Sequence, residues 1–171
     1  MEIQIIRSPK RKRSISARMV GDVMRVNAPA HMPEPTLQEI VNKFQRRFER
    51  RKLRKELNLK ENLLNVYSRL NKKYFEGKIS VKSIEYATDQ TRKWGVCNSR
   101  NKAIRISHRL AAMPQWVRDY VVVHEMAHIL QPNHSPDFWN LVERYELSER
   151  ARGYLIAKGI EDTDESDITS E

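Results

Sequence analysis

The chain has 171 residues, enough for one domain with an appendage and for a core that needs no disulfide or metal staple. Charged residues make up 32% and hydrophobic residues 39%, and no apolar run approaches the roughly 20 residues of a membrane-spanning helix. Cys97 is the single cysteine, which excludes an intrachain disulfide, and the opening MEIQIIRSPKRKRS lacks the apolar segment of a signal peptide; both point to a reducing, cytoplasmic (intracellular) setting and no membrane partner.

The net charge of +10 is unevenly spread. Residues 1–60 hold 16 Lys+Arg against 6 Asp+Glu, whereas residues 61–171 hold 16 of each. The last stretch, Ile160 to Glu171, has six acids and no base, so it is expected to be a disordered acidic tail. The organisation expected is a basic front at 1–60, a chemistry-bearing domain at 61–159 and the tail at 160–171.

In chain order, the residues from Ile3 to Ala28 read as β-structure. Ile15, Ala17 and Met19 alternate with polar residues, and Met24, Val26 and Ala28 share a face, with Gly21-Asp22 as a two-residue turn between the runs. Ile3 to Ile6 can add a third strand, which puts Lys10, Arg11, Lys12 and Arg13 in a loop or at a strand end. Pro29, Pro33 and Pro35 stiffen a connector, and Thr36-Leu37-Gln38-Glu39 is a capping box, which predicts a helix start there. On that helix Leu37, Ile40, Val41, Phe44 and Phe48 form one face, and Lys43, Arg46, Arg47, Arg50 and Arg54 another. The second face suits either solvent or a nucleic-acid backbone, and with Lys10–Arg13 it makes up the candidate nucleic-acid contact.

A second helix is predicted over Glu61 to Phe75, ended by Gly77. Short strands follow at Val81–Ala87, Lys93–Cys97 and Ala103–Ser107. Pro114 opens a helix that runs to about Gln131, where Pro132 stops it; Ser135 and Pro136 cap and start the next helix, and a last one covers Ser148 to Lys158.

The helix after Pro114 carries VVVHEMAHILQPNH. Residues four apart lie about 40° apart around a helix and about 6 Å apart along it, so His124 and His128 can reach one ion. Zinc takes imidazole nitrogen and keeps three protein ligands in hydrolytic sites. Glu125, turned about 100° from His124, flanks the ion and is placed to act as base toward a water. The third ligand is expected from His134, brought back by the break at Pro132; Glu143 or Glu146 on the following helix is the alternative. Cys97 reads as a buried strand thiol, Trp94 and Trp139 as core, and His108 as a histidine at a strand end. Arg105, Tyr145 and Tyr154 are further candidates, for transition-state support.

The block HEMAHILQPNHSPDFW resembles the YgjP-like metallopeptidases, whose pattern is HExxH, five residues, then H-S-x-x-F-W. Trp94-Gly95-Val96-Cys97, then Ile104-Arg105-Ile106 and Arg109-Leu110, resemble the family's upstream W-G-S-C segment and the strand ending in R-L. More distantly the zinc motif is similar to those of SprT-like and WLM proteases. The resemblance implies His124, His128 and His134 as ligands of one zinc ion per chain, and Glu125 as the catalytic base. It implies an α+β fold, a zincin-like metallopeptidase core with a small antiparallel sheet, behind an N-terminal β-hairpin and basic helix. The function it implies is peptide-bond hydrolysis on a protein or peptide substrate. A nucleic-acid-associated protease acting on DNA-bound proteins, and a zinc-stabilised nucleic-acid-binding module without proteolysis, are the alternatives. Two departures stand out: Val96 replaces the family's usual serine, and Gln131 occupies the place of the glycine in the long metzincin motif.

Overall fold

A computed structural model describes residues 1–158; the expected acidic tail lies outside them. The chain forms two compact units, one from Met1 to Lys52 and one beginning at Leu53.

The first unit is a three-stranded sheet with the start of a long helix. Strands β1 (Glu2–Ser8), β2 (Ser16–Val20) and β3 (Val23–Pro29) are ordered β1-β3-β2. β2 and β3 form the expected hairpin, with Gly21 at φ +60, a conformation glycine adopts without steric cost. β1 adds to the other side of β3 in parallel. Alternation decides which face is covered. Met24, Val26 and Ala28 are fully buried with Leu37 and Val41 of helix α1 (Glu34–Lys60), and Ile3, Ile15, Phe44 and Phe48 pack around them. That helix begins two residues before the capping box. Its first backbone bond runs from Leu37 N–H to Pro33 C=O, and Pro35 fits the first turn because it needs no donor there.

The second unit holds helix α2 (Leu63–Phe75), strands β4 (Ser83–Ala87), β5 (Gly95–Asn98) and β6 (Ala103–Ser107), a 3-10 turn (His108–Ala112), and helices α3 (Gln115–Leu130), α4 (Pro136–Val142) and α5 (Ser148–Ala157). Its sheet, ordered β4-β6-β5, repeats the topology of the first. It is mixed rather than antiparallel: β5 and β6 pair antiparallel as a hairpin, while β4 runs parallel to β6. The connection after β4 crosses the end of β6 before β5 begins, and that crossing reverses the direction of β5 relative to β4.

Ile104 and Ile106 of β6, Tyr86 of β4, Leu70 of α2, Val117, Val122, Val123 and Met126 of α3, and Phe138 of α4 are fully buried in one core. Burying two strand faces and one helix stripe in this way is the usual solution for an α+β layer. Arg118 and Asp119 interrupt the apolar pattern of α3 but stay buried through partners. Arg118 pairs with Glu61, whose carboxylate also accepts from the Tyr86 hydroxyl, and Asp119 pairs with Arg69 at 2.7 Å. Asn71 closes the end of α2: its side chain bonds both the N–H and the C=O of Ile79. Among the described residues no helix is long and apolar enough to cross a membrane.

Candidate metal centre

The three motif histidines converge. His124 and His128 project from one side of α3, and the break after Leu130 returns the chain so that His134 faces them. One donor atom from each lies within 4.8 Å of the others, the only such His/Cys/Asp/Glu group among the described residues. His134 Nε2 stands 3.3 Å from His124 Nε2. Two nitrogens each about 2.0–2.1 Å from a tetrahedral zinc would be about 3.3 Å apart, so the pair is spaced for a shared ion. His128 Nδ1 faces the Gln131 carbonyl at 3.2 Å, which leaves its Nε2 as the donor; a backbone partner on the second ring nitrogen is how a metal-binding imidazole is commonly oriented. Burial, with His128, His134 and the Arg152 guanidinium nearby, holds His124 well below the ordinary imidazole value, so its ring stays neutral and able to donate a lone pair. The donor set therefore fits a zinc ion.

Gln131 explains why the missing glycine is harmless. Its backbone sits at φ −128, ψ 99, an extended conformation open to any residue, and its carbonyl is the one that orients His128. Ser135 then caps α4, accepting from Phe138 N–H, with Pro136 at the first helical position.

That cap aims two aromatic rings at the histidines. Phe138 is fully buried; it stacks on His128 at 4.4 Å and meets His124 and His134 edge-on at 4.8 and 4.6 Å. Trp139 stacks on His134 at 5.7 Å, and the Arg152 guanidinium lies 5.1 Å from the same indole. Trp139 is thus a wall of the site, not only core.

Glu125 is buried on the flank of α3 and packs against Gly95, the first residue of β5. A Cβ at Gly95 would stand 2.6 Å from Glu125 Cγ and 2.7 Å from Cδ, closer than real carbons approach. Sequence reasoning missed this contact, although a glycine inside a strand signals a close approach. Cys97, two residues on, is half-buried; burial, with the Glu125 carboxylate adding to it, pushes its thiol up to about 12, and its sulfur does not lie with the three imidazole donors.

The remaining candidates lie elsewhere. Glu143 is exposed, and Glu146 pairs with Tyr74 and Lys73, so neither joins the histidines. Arg105 pairs with Asp89, the Tyr145 hydroxyl donates to the Trp116 carbonyl at 2.9 Å, and Tyr154 packs edge-on against Trp116. His108 Nδ1 faces the Ala87 carbonyl. Val96 points to the opposite side of β5 from Gly95 and Cys97 and is exposed. Of the candidate nucleic-acid residues, Lys10, Arg11, Lys12 and Arg13 lie in the β1–β2 loop. Arg46, Arg47 and Arg50 lie on the exposed side of α1, and Arg54 of the same helix falls in the second unit.

Comparison with known proteins gives a family. The sequence matches the YgjP-like metallopeptidase domain over residues 47–146. Among solved structures, the crystal structure of the metallopeptidase zymogen of Pyrococcus abyssi abylysin is similar, with 14% identity, a TM-score of 0.48, and coverage of 56% of this chain and 92% of that one. No curated protein matches the sequence.

Proposed function

This chain belongs to the YgjP-like family of metallopeptidases, and from that premise we propose that it hydrolyses peptide bonds at one zinc ion held by His124, His128 and His134, with Glu125 as the base. The observation that carries the reading is the meeting of three imidazole donors, with Glu125, the residue after His124 on the helix, buried where a facing glycine leaves room for its side chain. A zinc ion bound there supplies Lewis acidity, polarising a carbonyl and lowering the pKa of a water to about 7.

The chain's own groups do the rest. Glu125 accepts the proton of the attacking water at a carboxylate oxygen and returns it to the leaving amine nitrogen. Phe138 and Trp139 fix the ring planes of the histidines and keep bulk water from their backs.

Strand β5 offers a place for the substrate. It is an edge strand, and the bond from Ser107 N–H to Trp94 C=O sets the alternation along it. By that alternation the N–H and C=O of Gly95 and Cys97 point away from β6, toward the open edge. An extended peptide can pair with them as an added strand, with its scissile bond carried past Glu125.

The test is zinc per chain, by elemental analysis of protein purified without a metal-chelating tag, for the wild type and His134→Ala. About one zinc in the wild type, much less in the variant, and peptide hydrolysis that a chelator abolishes is the expected result. Full occupancy in His134→Ala removes that residue from the ligand set, and a wild type that takes up no zinc overturns the mechanism.

A further inference from the structure

The first sheet has one covered face and one open one. Its inner face is closed by α1, but the outward residues of all three strands are exposed or partly exposed. The strand register sets them in rows: Gln4–Arg25–Arg18 across the middle, Ile6–Asn27–Ser16 beside it, and Glu2–Val23–Val20 at the far end.

Arg18 and Arg25 are direct cross-strand partners on the same face. Side chains so placed have Cβ atoms about 5 Å apart, and like charges there destabilise a sheet. Arg25 Nε donates to Gln4 Oε1 at 3.0 Å, which orients that guanidinium, and among the described residues no carboxylate pairs with either arginine. A sheet that keeps two facing guanidinium groups without an acid between them gains when an anion arrives from outside. Each fork can hold phosphate oxygens in a two-pronged bond.

The β1–β2 loop extends this feature. It carries Lys10, Arg11, Lys12 and Arg13 and joins the strands at the end of the sheet nearest the Asn27–Ser16 row. Arg11 folds back on the Ser14 carbonyl and hydroxyl, which shapes the loop, while Lys10, Lys12 and Arg13 are exposed. Cations thus run from the loop to the Arg18–Arg25 pair, with the amide and hydroxyl groups of Asn27 and Ser16 between them. Residues 1–52 hold 13 Lys+Arg against 5 Asp+Glu, so the field around the face is positive.

We propose that this face binds the phosphate backbone of a nucleic acid. The choice over an anionic lipid surface rests on what the rows contain: hydrogen-bonding side chains interleave with the arginines, and the face carries none of the aromatic residues that anchor a protein in a bilayer interface. The proposal is independent of the zinc chemistry, since every residue in it belongs to the first unit.

The test is fluorescence anisotropy of the full chain with labelled single-stranded and duplex oligonucleotides, titrated from about 50 to 200 mM salt. Affinity should fall linearly on a log–log plot. Arg18→Ala/Arg25→Ala should weaken binding about tenfold or more at the low-salt end and reduce the slope by about two. The double variant should melt no lower than the wild type, because it removes facing like charges; Lys12→Ala/Arg13→Ala provides a second reading that leaves the sheet untouched and should also reduce the slope. Arg46→Ala/Arg47→Ala on α1 should change both quantities little. No binding at low salt, or undiminished binding by both the sheet and loop variants, overturns the proposal. Binding to phosphatidylserine vesicles without any to oligonucleotides overturns it in favour of a membrane surface.

Discussion

Gly95 and Glu125 adjoin so closely that a methyl group added at Gly95 would overlap the Glu125 side chain where it now lies. One comes from a strand of the sheet and the other from the motif helix, so the position of the proposed base is set by the sheet and not by the helix alone. Gly95→Ala should push the carboxylate aside, and a shift of about 1 Å in a reacting group can cost about 100-fold. The expected result is kcat lowered by about that factor with zinc content unchanged, the same signature as Glu125→Gln, for which general-base loss is worth about 10²–10⁴-fold. Steady-state kinetics with metal analysis on both variants checks it; a Gly95→Ala enzyme with normal kcat would show that the contact does not position the base.

Phe138 touches all three imidazoles, so it should act on metal affinity through ring orientation. Phe138→Leu keeps an apolar side chain of moderate size but loses the stacked face against His128. Hydrogen-bonded outer-shell partners of metal-binding histidines are typically worth about 10- to 100-fold in metal affinity, and a ring contact is expected at the low end of that range. Competition with a zinc-chelating dye should show at least the lower figure, while Phe138→Ala should also lose about 3–5 kcal/mol of stability.

Glu146 gives a pH prediction. Hydrogen bonds from Tyr74 and then Lys73 hold its carboxyl at about 2, below the ordinary 4.5. A depressed carboxylate stabilises the fold above its unfolded pKa and loses that contribution as pH falls through the folded value. The melting temperatures of wild type and Glu146→Gln should therefore differ by a constant amount above about pH 5.5 and converge between 4.5 and 2. A gap that stays constant across that window would show that the carboxylate's charge is not what matters.

Asn71 offers a test away from the site. Its side chain satisfies Ile79 N–H, while Ile79 C=O has a second donor in the Tyr67 hydroxyl at 2.6 Å. Asn71→Ala thus orphans one buried donor, which costs about 1–3 kcal/mol. Urea unfolding should show this loss in the midpoint with the slope unchanged; an unchanged midpoint would mean that water reaches Ile79.

The motif helix was legible because its information is local. His124 and His128 are one turn apart, Pro132 stops the helix, and Ser135 with Pro136 starts the next, so the return of His134 needed no knowledge of the rest of the chain. The strands were legible to within two residues from alternation and from the turn residues between them. What stayed hidden depends on pairing across distance. The parallel partnership of β1 with β3 and of β4 with β6 is set by where the connections cross, which no period in the sequence encodes. The same holds for the Gly95 contact, and for the ion pairs that let Arg118 and Asp119 stay buried. The start of α1 was misplaced because Pro35 serves the first turn better than the capping box beyond it.

The proposed ligands and the glycine that faces the proposed base differ in where they come from. All three imidazoles lie within the eleven residues 124–134, whereas Gly95 enters only when β5 has docked against α3. The two kinds of contact therefore differ in range: the proposed ligands are close in sequence, and the proposed base meets a strand from elsewhere in the chain. On the proposed mechanism, a preparation in which β5 is displaced from α3 would hold its metal and be idle. The active fraction would then be counted by turnover or by titration with a tight inhibitor rather than by metal content.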